Sequence, residues 1–137
     1  MRIAVIDGQG GGIGKAIVEK LNREIGENVN IIALGTNSTA TSVMLRAGAA
    51  EAATGENAIA VNACKVDVII GPIGIIVPNS LMGELTPKMA RAITDSPALK
   101  ILIPLSKCGI EIAGVQNDSL PQLIEKAVLK IKEKFNL

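Results

Sequence analysis

The residues with the most chemical promise stand close to the start of the chain, in the run Asp7-Gly8-Gln9-Gly10-Gly11-Gly12-Ile13-Gly14. Five of the seven residues from Gly8 to Gly14 are glycine, and each costs backbone entropy on folding. Stripping side chains from a stretch of backbone presents main-chain N–H groups, which suit a phosphate or pyrophosphate, with Lys15 next in line. The alternative is a tight junction whose glycines serve close packing and hold no ligand. Asp7 could ligate a metal or, more simply, brace the loop by accepting backbone N–H groups. Glu56 and Glu84 are carboxylates able to act as acid or base, although helix-start carboxylates have an ordinary role beside the helix dipole. Cys108 is a candidate reactive thiol and Lys107 a candidate phosphate contact. Asp7, Glu56, Glu84 and Cys108 are thus the candidate catalytic groups.

Positioning these groups requires a scaffold, and the apolar pattern supplies one. Ile3–Ile6 is a short β-branched run typical of a buried strand, and Ile13, Ile17, Leu21 and Ile25 recur at helical spacing. A helix is predicted over 12–25, stopping at Gly26, followed by a second strand over Val29–Leu34. Strand, glycine turn, helix and strand make a right-handed βαβ unit of Rossmann type. The strict G-x-G-x-x-G spacing is not met, because its third glycine would fall at Ile13. Gly8, Gly12 and Gly14 fit G-x-x-x-G-x-G instead. That spacing resembles the cofactor loop of short-chain dehydrogenases, with Asp7 where that family usually has Thr. The resemblance covers this loop and its helix only. The family's chemistry needs a Tyr, and the chain has none. A Walker loop fails too, because Gly14-Lys15 is followed by Ala16 instead of a hydroxyl.

The second strand ends at Gly35-Thr36-Asn37-Ser38. Dinucleotide folds place an Asp or Glu there for the ribose hydroxyls, and its absence weakens the usual NAD arrangement. A 2′-phosphate would suit Thr36, Asn37 and Ser38, yet no Arg adjoins them; the same residues could simply cap the next helix. That helix is predicted over Thr39–Ala47, closed by Gly48. Ala49–Ala53 has no clear placement. Thr54 is a reasonable N-cap for a short helix running to about Cys64, a small residue expected in the core. A third strand over Val66–Ile70 leads into Gly71-Pro72-Ile73-Gly74, and Ile75–Val77 is a short strand or buried loop. Pro78-Asn79-Ser80 and Gly83-Glu84 flank Leu81-Met82. Thr86-Pro87 then opens a helix that buries Met89, Ala90 and Ile93. A fourth strand is predicted over Lys100–Leu105. Since Ser106–Gly109 is too short for a parallel crossover of about a dozen residues, Ile110–Val115 is expected as an antiparallel edge strand. Ser119 and Gln122 form a capping box before a last helix with a stripe of Leu120, Leu123, Ile124, Ala127, Val128 and Ile131.

These elements imply one α/β domain over 1–137: a Rossmann-like three-layer sandwich, mostly parallel, in strand order 2-1-3-4 with an additional edge strand. The loops after the strands converge on one edge, where open α/β sheets bind ligands. The candidate cofactor contacts are therefore Gly8, Gln9, Gly10, Gly11, Gly12, Ile13, Gly14, Thr36, Asn37, Ser38, Gly71, Pro72 and Gly74. Asn79, Ser80 and Lys107 are the candidate substrate contacts.

Composition narrows the function. The net charge is +1 and the lone aromatic is Phe135, which argues against nucleic-acid binding. Without histidine, Ser-His-Asp and Cys-His catalysis and histidine-ligated metals are excluded, and no metal is expected. Hydrophobic residues make up 48% of the chain and the mean hydropathy is +0.40. No apolar run spans a bilayer, since Val68–Val77 is interrupted by Gly71, Pro72 and Gly74. The apolar excess points to a homo-oligomer, a dimer or tetramer. Two isolated cysteines suit a reducing cytoplasm.

Asp7–Gly14, Gly55-Glu56-Asn57-Ala58 and Asn79-Ser80-Leu81-Met82-Gly83-Glu84 resemble, along the whole chain, domain-of-unknown-function family 3842, small bacterial proteins without an assigned activity. That resemblance implies a Rossmann-like domain. Asp67 to about Leu105, with Gly71-Pro72, Ala92-Ile93 and Lys100-Ile101, resembles the middle of the phospholactate transferase and gluconeogenesis-factor group, which binds nucleotide or phosphorylated ligands. A Gly-Pro-Gly-Ser-Leu loop is usual there, and the serine is missing here. The expected function is nucleotide binding, NAD(P) first, through the glycine loop. The alternatives are a phosphometabolite or nucleotide-sugar dependent transferase and a non-catalytic regulatory or assembly subunit.

Overall fold

The computed structural model describes residues 1–105 and 109–137. Five strands form one parallel sheet: β1 (Arg2–Asp7), β2 (Asn30–Gly35), β3 (Glu51–Thr54), β4 (Val68–Pro72) and β5 (Leu99–Ile103), in spatial order β3-β2-β1-β4-β5. The helices between and after them are α1 (Gly12–Ile25), α2 (Ser38–Arg46), α3 (Glu56–Asn62), α4 (Pro87–Asp95) and α5 (Leu120–Phe135).

Strand periodicity divides the core into two layers. Ile3 and Val5 of β1, Ile31 and Ala33 of β2 and Val68 and Ile70 of β4 face Ile17, Val18 and Leu21 of α1, Met44 of α2 and Ile124 and Val128 of α5. Ala4, Ile6, Ile32, Leu34 and Ile69 face the other way, onto Ile59 of α3 and Met89, Ala90 and Ile93 of α4. Alternate residues of one strand therefore serve opposite faces, as a doubly covered parallel sheet demands. Helix starts are fixed locally. Asn37, Thr86 and Ser119 accept the amides of Ala40 (2.9 Å), Met89 (3.1 Å) and Gln122 (3.4 Å), which caps α2, α4 and α5.

Several sequence-based expectations need correction. The four anticipated parallel strands stand in the anticipated relative order, as β2, β1, β4 and β5, but the sheet's extra strand is β3, built from the alanine-rich stretch that had no placement. β3 pairs parallel to β2. Ile110–Val115 is not a strand: left-handed backbone at Gly109 (φ 70°) and Gly114 (φ 86°) turns the chain, and Ile110, Ile112 and Val115 lie exposed. β4 begins at Val68 and includes Gly71 and Pro72, and β5 ends at Ile103. Thr54 does not cap α3. Gly55 does so with φ 101°, and the Thr54 hydroxyl donates to Thr41 Oγ1 at 2.7 Å. Cys64 is exposed, one residue beyond the turn that buries Ala63.

Candidate functional site

The carboxyl edge of the sheet gathers the β1–α1 loop, the end of β2 and the segment Asn79–Glu84. At the bottom of this mouth Asp7, only 4% exposed, accepts the Gly8 amide through Oδ1 (2.8 Å) and the Gly14 amide through Oδ2 (2.7 Å). Each carboxylate oxygen accepts one amide of the loop, so Asp7 braces it. Burial raises its pKa. The two amide bonds oppose that shift, and the nearby Glu84 charge adds to it.

A second carboxylate lies above. Glu84 Oε1 accepts three donors: the Gln9 amide (2.8 Å), Thr36 Oγ1 (2.7 Å) and Asn37 Nδ2 (2.8 Å). Asn37 Nδ2 also donates to the Gln9 carbonyl at 3.0 Å, so the Gln9 peptide is held at both ends with Gln9 itself at φ 48°. Burial opposes the ionisation of Glu84, but the three donors outweigh it and hold the carboxyl below its ordinary range. A carboxylate from another loop thus lies at the end of β2, where the strand itself has none. No spacing signal in the sequence could have joined positions 9 and 84.

The loop's glycines have different reasons to be there. A Cβ on Gly8 would lie 2.4 Å from Thr36 Oγ1 and 2.8 Å from Leu81 Cδ1. On Gly14 it would lie 2.4 Å from the Met44 sulfur. Gly11 (φ 74°) sits against the Ala40 backbone at 2.9 Å. Packing explains these three. A Cβ on Gly10 or Gly12 would meet nothing within 4 Å, and neither has positive φ. Among the described residues, the amides of Gly10, Gly12 and Ile13 have no hydrogen-bond acceptor. Gly12 and Ile13 open the 14-residue α1, whose dipole favours an anion there.

The other candidates divide between scaffold and rim. Gly71 stands where a Cβ would strike the Ile6 carbonyl at 2.2 Å, and Gly71, Pro72 and Gly74 are all buried. Ser38 is the first residue of α2, behind its cap. The buried Ser80 hydroxyl donates to the Gly74 carbonyl and pins the base of its loop. Asn79 is exposed with φ 66°. Glu56 Oε2 accepts the Thr86 hydroxyl at 2.6 Å and joins α3 to α4. Lys107 and Cys108 lie outside the described residues. Two surface hollows, of about 480 and 320 Å³, run along α1 and α5 between charged side chains such as Lys20, Glu24, Glu125 and Lys126. They do not reach the glycine loop. Among the described residues, no group of three His, Cys, Asp or Glu side chains is placed to hold a metal, and no helix is long and apolar enough to cross a membrane.

A doubly covered parallel sheet with a glycine loop at the β1–α1 junction places the protein in the Rossmann-like class. Its family follows from sequence: the profile described as "Domain of unknown function (DUF3842)" matches residues 2–136, and the chain belongs to that family. No curated protein matches the sequence. Among solved structures, it is similar to an apo saccharopine dehydrogenase (L-Glu forming) from Saccharomyces cerevisiae, with 10% identity, TM-score 0.49 and 94% of this chain covered. The chain spans 25% of that dehydrogenase's length. It is also similar to a dodecameric FMN-dependent UbiX-like decarboxylase from Escherichia coli O157:H7, with 12% identity, TM-score 0.46 and coverage of 100% and 96% of the two chains.

Two outcomes are expected. Gly14→Ala destabilises the fold by about 1–3 kcal/mol through overpacking against Met44, whereas Gly10→Ala stays within about 0.5 kcal/mol of the parent. Urea denaturation checks both. The Glu84 contacts stabilise the fold at pH above the ordinary glutamate pKa, and that contribution is lost as pH falls through the lowered folded value. Asp7 has the opposite sign, its contribution being lost as pH rises through its raised value. The melting-temperature difference between wild type and Glu84→Gln is therefore expected at neutral pH and shrinks on acidification. A pH-independent difference contradicts this reading.

Proposed function

We propose that residues 1–137 bind a phosphate-bearing small molecule, a nucleotide above all, through the amides of Gly10, Gly12 and Ile13. One observation carries this reading: Gly10 and Gly12 have neither a packing neighbour nor a backbone angle that requires glycine. Their bareness keeps open three N–H groups at the start of α1, an arrangement suited to an anion. The nucleoside end of such a ligand would run toward Thr36, Asn37 and Ser38. NAD(P) heads the ligands to be tried, followed by ATP and nucleotide-sugars. In the transferase version of this reading, the Asn79–Glu84 segment closes on the substrate.

A second reading has its own support. Gly8, Gly11 and Gly14 are explained by packing, and Glu84 already occupies the Gln9 amide. A regulatory or assembly subunit without a ligand would have the same features. A homo-oligomer fits either reading. Leu105, Ile110, Ile112 and Val115 are 39–45% exposed, and exposed apolar residues of this kind suit an interface where they form one patch.

Thermal shift against NAD⁺, NADP⁺, ATP, a UDP-sugar and inorganic pyrophosphate separates the two. A ligand at 100 times its Kd raises stability by about 2.7 kcal/mol. Gly12→Asp is expected to abolish the shift while leaving the protein folded, because it places a side chain and a like charge in the anion's path. The absence of a shift with every compound favours the subunit reading.

A further inference from the structure

The segment Asn79–Glu84 has a fixed base and an awkward tip. At the base, the Asn79 amide donates to the Leu85 carbonyl (2.8 Å), the Leu85 amide donates to the Ser80 carbonyl (3.2 Å), and the Ser80 hydroxyl is tied to Gly74. The tip runs through left-handed backbone at two consecutive side-chain-bearing residues, Leu81 and Met82, both at φ 55°, followed by Gly83 at φ 89°. Left-handed backbone is unfavourable for L-residues other than Gly, Asn and Asp. It persists only where surrounding contacts hold it, as at ligand clamps and switch segments. Met82 contributes nothing to that hold, being 93% exposed. The contacts that do are the tip's own turns, with the Gly83 amide donating to the Ser80 carbonyl (3.1 Å) and the Glu84 amide to the Leu81 carbonyl (3.1 Å), Leu81 against Gly8 and the apolar cluster beneath α3 and α4, and Glu84 Oε1 on Gln9, Thr36 and Asn37.

The Glu84 contacts lie on the groups the nucleoside end of the proposed ligand would use, next to the open Gly10, Gly12 and Ile13 amides. Glu84 places a negative charge on the glycine loop and takes the polar groups at the end of β2, while Leu81 and Glu84 together fill the space above Gly8. We infer that the Leu81–Glu84 tip is an autoinhibitory cap: closed, it holds the Glu84 charge beside the anion site and takes Thr36 and Asn37, and a phosphate-bearing ligand binds by displacing it about the fixed Asn79–Ser80 and Leu85 base. This inference rests on the proposed anion site and concerns its regulation. The left-handed tip belongs to the closed form and relaxes on opening, so the cap is held shut by the Glu84 contacts and biased toward release by its own backbone. Asp7, the other titratable group facing Glu84, stays in place because both its oxygens are bound within the loop.

Two substitutions push this equilibrium in opposite directions. Glu84→Gln removes the charge and weakens the closed contacts. Met82→Gly relaxes the tip in its closed form without removing a packed side chain. Isothermal titration with inorganic pyrophosphate and with ADP, using the full chain, is expected to show roughly tenfold tighter binding to Glu84→Gln and severalfold weaker binding to Met82→Gly, relative to wild type. Hydrogen exchange without ligand provides a second readout: the Gln9 amide exchanges faster in Glu84→Gln and slower in Met82→Gly. Binding to wild type that Glu84→Gln leaves unchanged or weakens overturns the cap and leaves the anion site standing, with Glu84 as a ligand contact or bystander. Binding to none of the three proteins overturns both the cap and the site. If Glu84→Gln does not fold, Met82→Gly decides alone, and binding equal to or tighter than wild type overturns the cap.

Discussion

The first turn of this protein depends on a buried carboxylate that holds two amides of its own loop. Asp7 ends the central strand, β1, and its oxygens take the Gly8 and Gly14 N–H groups at 2.8 and 2.7 Å. A buried ion is costly to desolvate unless it is well hydrogen-bonded. These two bonds offset part of that cost and tie the end of β1 to the start of α1. Once α1 is set, Gly14 packs on Met44 of α2 and Gly11 on Ala40, so the same turn positions the next helix. The residue whose position first suggested a metal ligand or catalyst is the structural pin of the mouth.

That pin divides the loop. Gly8, Gly11 and Gly14 are turned inward and serve packing. Gly10 and Gly12 are exposed, Ile13 rests its side chain on the core, and the amides of all three lack partners among the described residues. Glu84 sits on the boundary, attached to the Gln9 amide and to the polar end of β2. Two carboxylates beside one helix start oppose a further anion through simple Coulomb repulsion. An anion of the proposed kind arriving with Glu84 in place would meet both charges, and one that displaced Glu84 would meet Asp7 alone. Under the proposed anion site, the electrostatics of the mouth would couple ligand entry to the position of a single side chain.

The sequence carried most of the fold because the fold is local in pattern. β1, α1, β2 and β4 announced themselves through β-branched runs and helical spacing, and the crossover rule set their order. β3 was illegible because Glu51-Ala-Ala-Thr54 has no apolar alternation; it exists through pairing with β2. Ile110–Val115 misled for the opposite reason. Its apolar residues suggest a strand, but two left-handed glycines turn the chain. At the site, the glycine loop was legible and the sorting of its glycines was not, because that depends on Met44, Ala40, Thr36 and Leu81, which are distant in sequence. Glu84 was visible only as a carboxylate in a polar stretch. Its role depends on a contact across 75 positions.

The claim beneath this account is that three particular backbone amides are open anion donors. Amide chemical shifts of ¹⁵N-labelled protein, followed through a titration with inorganic pyrophosphate at constant pH and ionic strength, test it most directly. The account predicts saturable downfield movement of the Gly10, Gly12 and Ile13 protons, with Gly8 and Gly14, already bound to Asp7, changing least. Saturating pyrophosphate that leaves those three resonances in place, or moves only resonances along α5, contradicts it.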